Sequence, residues 1–357
     1  MEHAVAQTHQ DWLIRVAEIF TPFEEDLFRD LGVRRLVKSL PNGMRWVQLE
    51  NPALLHESAA LKFLRWKLPL EHAWPCQPQR MHGFVEKAAS TLREKFAQRS
   101  PQAVVVGALD PSPAGRYYRT LASNLRGRAL QMFEHVLQGA HATEQQDPER
   151  MSLFVHIGSE GLFAGMATPR AAGGYFPGGT KFIQQAGDAV VSRAGAKCVE
   201  ALHLVTCFRP VPNAGSHWLE LGASPGGMTR ELLDRGYQVT AIDRAEMHAS
   251  LIGHPALVIR RMAVADFPKP AANFYQALLC DMNGDSLAAI RQVVRLSAGL
   301  QQGSLVIFTL KTHGQSSYAE INALHDEVIR QSHPLRHLST VHLNYNRMEM
   351  TIFFEAG

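Results

Sequence analysis

The chain has 357 residues, of which 46% are hydrophobic, enough to build more than one core. With 36 basic and 33 acidic residues its formal net charge is only +3, so a nucleic-acid surface would have to be local. No stretch approaches about eighteen uninterrupted apolar residues, which excludes a membrane-spanning helix.

The chain start and the cysteines indicate a cytoplasmic protein. Residues 1–3 have neither the basic start nor the apolar segment of a secretory signal. Cys76, Cys198, Cys207 and Cys280 are scattered, with no C-x-x-C pair. This spacing predicts reduced thiols and no metal site.

The first half alternates strand-like and helical patterns, which predicts an N-terminal α+β module over 1–100 and a second module over 101–180. Strands are expected at 12–16, 45–49 and 103–108, with a hairpin over 152–157 and 161–166. Helices are expected from a cap at Thr21 through 27, and over 81–98 and 121–137.

Basic and aromatic residues interleave in the second module, a pattern that suits phosphate contact and base stacking in RNA. The candidate contacts are Arg116, Tyr117, Tyr118, Arg119, Arg126 and Arg128. A solvated helix face explains them equally well. A glycine-rich segment over 170–181, with Tyr175, Phe176 and Lys181, is either a linker or a second RNA contact.

A glycine turn over 219–229 dominates the second half. It follows a short apolar strand and opens a helix predicted over 228–235, so backbone N–H groups point at a ligand site. Gly222, Gly226 and Gly227 permit positive φ and close approach, and Pro225 stiffens the turn. The turn matches neither G-x-G-x-x-G nor the P-loop and is typical of S-adenosylmethionine-dependent methyltransferases.

Four more apolar runs follow, at 238–243, 257–262, 277–282 and 304–311, as expected for strands covered on both faces, with a helix over 286–301. Asp243, Asp266, Asp281 and Lys311 stand at strand ends and should converge on one crevice. Asp243 lies about twenty residues past the turn, where a doubly wound sheet places a carboxylate on a ribose diol. Any one of these aspartates alone could be only a helix cap.

The turn resembles the D-L-G-A-x-P-G-G-[WF] signature of the FtsJ-type ribose 2′-O-methyltransferases. Their Lys-Asp-Lys-Glu tetrad is matched in order by Lys197, Asp281, Lys311 and Glu349. The chain is most similar to the RlmM-like bacterial large-subunit rRNA cytidine 2′-O-methyltransferases. Glu220 stands where the family usually has Asp, and Met228 where it usually has an aromatic residue.

The resemblance implies a Rossmann-like α/β methyltransferase domain over 185–357, with a mixed, mostly parallel seven-stranded sheet and a C-terminal hairpin at 337–345 and 349–355. An α+β THUMP-like RNA-binding region would precede it. The tetrad's first lysine would lie on a helix over 188–205. The implied S-adenosylmethionine contacts are Glu220, Gly222, Ala223, Ser224, Pro225, Gly226, Gly227, Met228, Asp243, Asp266 and Asp281.

The resemblance also assigns Lys311 as the general base for a ribose hydroxyl. We expect Lys197 and partial burial to lower the pKa of Lys311, with Asp281 orienting it. Other substrates stay open: transfer RNA or messenger RNA, a protein or a small molecule, or an inactive RNA-binding protein. An amino-group methylase would need N-P-P-[YF] after the fourth strand, where this chain has Asp-Met-Asn-Gly at 281–284.

Overall fold

The computed structural model describes residues 10–110, 112, 115–137, 147–179 and 191–357. The chain divides into two compact units, Met1–Lys181 and Phe182–Gly357. Within the described ranges, none of the helices is both long and apolar enough to cross a membrane.

The first unit contains two four-stranded sheets. One has the order β2-β3-β1-β4 and the other β5-β8-β7-β6. Its strands are β1 (Asp11–Val16), β2 (Val33–Ser39), β3 (Met44–Leu49), β4 (Leu64–Pro69), β5 (His72–Trp74), β6 (Ala103–Ala108), β7 (Ser152–Gly158) and β8 (Gly161–Ala167). Its helices are α1 (Glu24–Asp30), α2 (Leu54–Glu57), α3 (Phe84–Phe96), α4 (Arg116–Met132), α5 (Glu134–Leu137) and α6 (Pro169–Ala172).

The second sheet of this unit draws on residues from both sides of residue 100. Strand β5 pairs with β8, and α3 packs with α4 in the core that lines β6, β7 and β8. Residue 100 therefore does not separate the two sheets. The predicted strands at β1, β3, β6 and the β7–β8 hairpin are present, whereas β2, β4 and β5 were missed.

Three helix starts in the first unit differ from prediction, and one of them is α3, which begins at Phe84 rather than at residue 81. A 3-10 turn already runs from Glu18 to Phe23 and contains Pro22, so α1 begins only at Glu24 and Thr21 does not cap it. Helix α4 begins at Arg116, directly after Gly115, rather than at residue 121.

The second unit is built on one seven-stranded sheet of order β11-β10-β9-β12-β13-β15-β14. Its strands are β9 (His217–Leu221), β10 (Gln238–Asp243), β11 (Leu257–Arg261), β12 (Tyr275–Cys280), β13 (Leu300–Lys311), β14 (Arg336–Val341) and β15 (Glu349–Glu355). Strands β9 to β13 are parallel, and β15 runs antiparallel to β13 and β14. The predicted mixed, mostly parallel Rossmann-like sheet is confirmed.

Within residues 191–357, four helices flank this sheet: α7 (Ala194–Val205), α8 (Gly227–Asp234), α9 (Ser286–Ser297) and α10 (Tyr318–Gln331). Helices α7 and α8 cover one sheet face, where Trp218, Val239 and Leu279 are buried. Side chains alternate along each strand, so residues such as Leu219 and Leu278 belong to the other face and are also buried. Burial on both faces explains the near-continuous apolar runs of these strands.

Several boundaries in this unit differ from prediction; β12 spans Tyr275–Cys280 rather than 277–282, and β13 begins at Leu300 rather than at residue 304. Helix α7 is described from Ala194, and residues 188–190 of the predicted helix lie outside the described ranges. Helix α9 ends at Ser297 instead of residue 301, because Leu300 already opens β13. The C-terminal hairpin is present, but β14 ends at Val341 and a connection over 342–348 leads to β15.

Candidate active site

The glycine turn lies where strand β9 ends and helix α8 begins. Gly222 has φ +77° and Gly226 has φ +108°, a region that L side chains rarely occupy. A Cβ atom on Gly222 would lie 2.9 Å from the Cα of Met282, and one on Gly227 would lie 2.0 Å from Ser192 Oγ. Glycine at these positions therefore lets the turn pack against the end of β12 and the approach to α7.

A cavity of about 610 Å³ opens beside this turn, at the carboxyl ends of β9, β10 and β12. Of the predicted cofactor residues, it is lined by Glu220, Gly222, Ala223, Ser224, Pro225, Gly227, Met228, Asp243 and Asp281. Gly226 and Asp266 are not among the lining residues. Asp266 is exposed on a short 3-10 turn whose Val264 and Ala265 face the cavity instead.

The cavity also has lining residues that the sequence did not single out, among them Met262, Val264, Asn283, Asp285 and Gln292. Asp285 caps α9, accepting hydrogen bonds from the backbone N–H groups of Leu287 and Ala288 at 2.9 and 3.2 Å. An N-cap aspartate before an apolar helix is a recognisable sequence signal. The other lining residues carry no such signal in the sequence, because only the tertiary packing places their side chains beside the cavity.

Two carboxylates, Asp243 and Glu220, hold the glycine turn and the start of α8 through hydrogen bonds. Asp243 accepts hydrogen bonds from the N–H of Ser224 at 3.0 Å and from the N–H of Ala245 at 2.9 Å, so it ties the turn to β10. Glu220 is buried, and burial raises its pKa to about 8, although the Thr229 hydroxyl donates to it at 2.7 Å. At neutral pH Glu220 is therefore mainly uncharged.

The four residues of the predicted tetrad form a closed ring. Lys197 Nζ donates to Asp281 Oδ2 at 2.9 Å and to Glu349 Oε1 at 2.8 Å. Lys311 Nζ donates to Asp281 Oδ1 at 2.6 Å and to Glu349 Oε2 at 2.7 Å. Each lysine thus bridges both carboxylates, and the ring carries two positive and two negative charges.

The sheet brings the ring together from four distant segments. Lys311 ends β13, and its cross-strand partner is Glu349, the first residue of β15. Asp281 directly follows β12, which runs parallel to β13, and Lys197 reaches in from α7. Ser286 Oγ accepts from the N–H of Lys311 at 2.9 Å and donates to its carbonyl at 3.1 Å, so the start of α9 holds the Lys311 backbone.

Electrostatics in the ring differ from the expectation. Burial lowers the pKa of Lys311, but the charges of Asp281 and Glu349 and the hydrogen bonds they accept outweigh burial, so its pKa lies above the ordinary value. The predicted lowering was wrong, because two carboxylates lie within hydrogen-bond distance of the Lys311 ammonium. For Glu349, burial raises the pKa, but both lysines outweigh it and leave that pKa below its ordinary value.

A buried carboxylate missed in the sequence holds the connection that precedes Glu349. Glu200, one turn after Lys197 on α7, accepts hydrogen bonds from the N–H of Asn344 at 2.9 Å, from Asn344 Nδ2 at 2.6 Å and from the N–H of Tyr345 at 3.2 Å. The same helix therefore positions both a ring lysine and the connection over 342–348. Nothing local distinguishes this glutamate from a solvent-exposed one.

The candidate RNA contacts of the first unit differ in their surroundings. Arg116 and Arg119 are exposed near the start of α4, Tyr117 is 46% exposed and stands edge-on to Tyr118, and Arg126 is partly exposed. Arg128 forms an ion pair with Glu86, and its guanidinium donates hydrogen bonds to that carboxylate at 2.6 and 2.8 Å. Tyr175 is buried and Phe176 partly so, and Lys181 lies outside the described residues.

Known proteins of similar sequence carry the name of an rRNA methyltransferase. No family model matches the chain. It is 31% identical over 171 residues to "Ribosomal RNA large subunit methyltransferase M" of Halorhodospira halophila (strain DSM 244 / SL1), over 48% of this chain and 45% of that protein. A protein of the same name from Shewanella sp. (strain MR-4) is 27% identical over 286 residues, covering 74% and 77%. These proteins are homologues of this chain.

The homologues confirm the resemblance inferred from the glycine turn and the order of the tetrad. The match spans less than half the length of the first of these relatives. Among solved structures, TrmN from Thermus thermophilus is similar over 97% of this chain and 100% of that one, at 13% identity and a TM-score of 0.36.

Proposed function

We propose that this protein transfers the methyl group of S-adenosylmethionine to the ribose 2′-hydroxyl of a nucleotide, a cytidine, in large-subunit rRNA. The observation that carries the proposal is the ring of Lys197, Asp281, Lys311 and Glu349, joined through Asp281 to the cavity beside the glycine turn. The printed name of the homologues supports large-subunit rRNA as the substrate.

The cavity suits a nucleoside-type methyl donor. The glycine turn has no room for Cβ atoms at Gly222 and Gly227, and the first two residues of α8, Gly227 and Met228, line the cavity. Asp243 stands at the end of β10, where a sheet of this type binds a ribose diol. When bound, S-adenosylmethionine supplies a methyl group on a cationic sulfur, which is already a strong electrophile.

The difficult partner is the ribose hydroxyl, which must lose a proton, and we assign Lys311 as the base. An ordinary lysine is neutral in only about one molecule in 2,500 at pH 7, a cost of about 4.6 kcal/mol. The raised pKa of Lys311 makes this cost larger in the empty site. A cationic donor held in the cavity that Asp281 lines would weaken that carboxylate's hold on the Lys311 proton and would favour the neutral amine.

Lys197 has the complementary task in this proposal. Once Lys311 is neutral, Lys197 is the remaining ring cation that bridges Asp281 and Glu349. It keeps both carboxylates in place and limits the negative charge left in the ring. Asp281 and Glu349 in turn aim the Lys311 amine, since each accepts one of its hydrogen bonds.

We further propose that the first unit binds the RNA, with a THUMP-like module over 101–180. The exposed Arg116 and Tyr117 on α4 support this assignment, because a cation and an exposed aromatic ring on one helix suit phosphate contact and stacking. Arg128 is the weakest of the candidate contacts, since binding RNA there would compete with Glu86.

The test is methyl transfer from labelled S-adenosylmethionine to rRNA from a strain that lacks the gene. We expect label in the large-subunit RNA at one nucleotide, and resistance of the adjoining phosphodiester bond to alkali, which marks a 2′-O-methyl group. Lys311→Ala should bind the donor and transfer nothing. Label on a base or on protein would overturn the ribose proposal, as would near-normal turnover by the variant, and label on transfer RNA would overturn rRNA as the substrate.

A further inference from the structure

The end of the β13–β15 ladder continues past the ring and reaches the protein surface. Lys311 and Glu349 are direct cross-strand partners, and the next step is closed by the N–H of Thr312, which donates to the carbonyl of Met348 at 2.9 Å. His313 and Arg347 come next along the two segments, two residues from Lys311 and Glu349, beyond the ends of the strands. Both residues are exposed.

The distance from the ring to this pair matches the scale of a nucleotide. Two residues of extended chain span at most about 7 Å, so the Cα atoms of His313 and Arg347 lie within that distance of those of Lys311 and Glu349. Among the residues that the structure describes, the Arg347 guanidinium makes no ion pair and no hydrogen bond of its own. A cation in this position is available to a ligand.

The backbone that carries Arg347 is held firmly. The buried His342 ring contacts the Arg347 carbonyl through Nε2 at 3.0 Å, and Asn346 Nδ2 donates to Thr351 Oγ1 at 3.1 Å. Glu200 binds the same connection through Asn344 and Tyr345. The arginine is therefore presented from an ordered connection, which reduces the entropy lost when it binds a ligand.

The charges of the ring, the cavity and Arg347 indicate what kind of ligand Arg347 binds. The ring itself is balanced, and beyond Asp281 the cavity is lined by Asp243, Asp285 and one arginine, Arg244, so neither presents the excess of positive charge that attracts a polyanion. A nucleotide whose 2′-hydroxyl meets Lys311 must place its neighbouring phosphates just outside the ring. Arg347 is an exposed cation two residues from Glu349 of the ring, and His313 is exposed two residues from Lys311.

We propose that Arg347, supported by His313, binds an RNA phosphate next to the methylated ribose. This inference rests on the proposed function, since it assumes an RNA acceptor at Lys311. Phosphate contacts set register without reading sequence, so this contact positions the ribose and leaves nucleotide choice to other surfaces.

The experiment compares Arg347→Ala and Arg347→Lys with a matched control, Arg330→Ala, in the full chain. Arg330 is an exposed arginine of the same unit that pairs with Glu327. It lies about 18 Å from the first residue of α10, measured along the helix axis. RNA affinity is measured at several salt concentrations on an rRNA fragment, alongside KM for RNA, kcat and donor affinity.

We expect Arg347→Ala to weaken RNA binding and raise KM for RNA about tenfold, with donor affinity unchanged. The slope of log affinity against log salt should fall by about 0.7 to 0.9, the value for one lost phosphate contact. Arg347→Lys should restore most of the RNA affinity and of the salt slope. Arg330→Ala should match the wild type in each measurement.

Two results would overturn the assignment: an Arg347→Ala protein indistinguishable from Arg330→Ala, or one that loses donor binding and thermal stability together, which marks a structural residue. Because RNA affinity is read separately from turnover, the answer does not depend on methyl transfer. A wild-type protein that binds RNA but labels no ribose would instead count against the proposed function.

Discussion

The near symmetry of the ring makes the choice of base testable. Lys197 and Lys311 each bridge the same two carboxylates at 2.6 to 2.9 Å, so distances alone do not distinguish them. Replacing each lysine by arginine keeps the charge and the hydrogen bonds but removes a usable base, because arginine is not deprotonated in proteins. We predict that Lys311→Arg abolishes methyl transfer and that Lys197→Arg retains part of it.

Arginine is preferred to alanine because of the burial of the ring. The side chains of Lys311 and Glu349 are only 9% and 8% exposed, so deleting one lysine leaves a buried carboxylate short of a partner. Such a loss costs about 3–5 kcal/mol and risks unfolding. A larger side chain at either position costs about 1–3 kcal/mol through overpacking, and both variants share that penalty.

Loss of a general base lowers a rate by about 10² to 10⁴. With the packing penalty common to both variants, the single-turnover rate of Lys197→Arg should exceed that of Lys311→Arg by at least about 10². The assay is transfer from labelled S-adenosylmethionine to rRNA with enzyme in excess. Donor affinity and thermal unfolding of each variant show that the site is intact.

Equal rates in the two arginine variants would refute the reasoning, since neither lysine would then have a distinct role. A faster Lys311→Arg would assign the base to Lys197. Activity near that of the wild type in both would remove lysine deprotonation from the mechanism altogether.

Three further predictions follow from the geometry. Because the pKa of Lys311 is raised, its neutral fraction increases about tenfold per pH unit, so log kcat/KM should climb with unit slope from about pH 6.5 to 8.5; a plateau below pH 8 would contradict this assignment. Gly222→Ala places a Cβ atom 2.9 Å from the Met282 backbone at φ +77° and should weaken donor binding at least about tenfold by calorimetry, whereas unchanged affinity would place the donor elsewhere. Glu200→Ala leaves three N–H donors without their acceptor and should lower the free energy of unfolding by about 3 kcal/mol in denaturant titrations. Glu200→Gln should lower it less, and equal stability of the two variants would show that the carboxylate does not hold the connection over 342–348.

The sequence by itself determined the elements that depend on local patterns. Apolar runs marked β9, β10, β12 and β13, since a strand covered on both faces must be apolar throughout. The glycine turn was recognisable because positive φ and close backbone approach leave few residues other than glycine. In the first unit, β2 escaped notice because it is largely exposed and lacks a continuous apolar run.

The ring required more than local patterns. Asp281 and Lys311 could be suspected because charged residues at the ends of buried strands need a reason to be there. Lys197 and Glu349 were found only through the order of a family motif, because one lies on a helix and the other opens a strand, and neither position looks unusual. Their roles remain predictions.

Only the tertiary structure decided the electrostatics and the support of the site. The pKa of Lys311 depends on which charges lie within 3 Å of its amine, and segments 30 and 38 residues away supply them. Glu200 acquired its role in the same way, from a connection 144 residues distant. Coulomb interactions and hydrogen bonds act through space, so a local reading of the chain finds the residues but not the balance of charge among them.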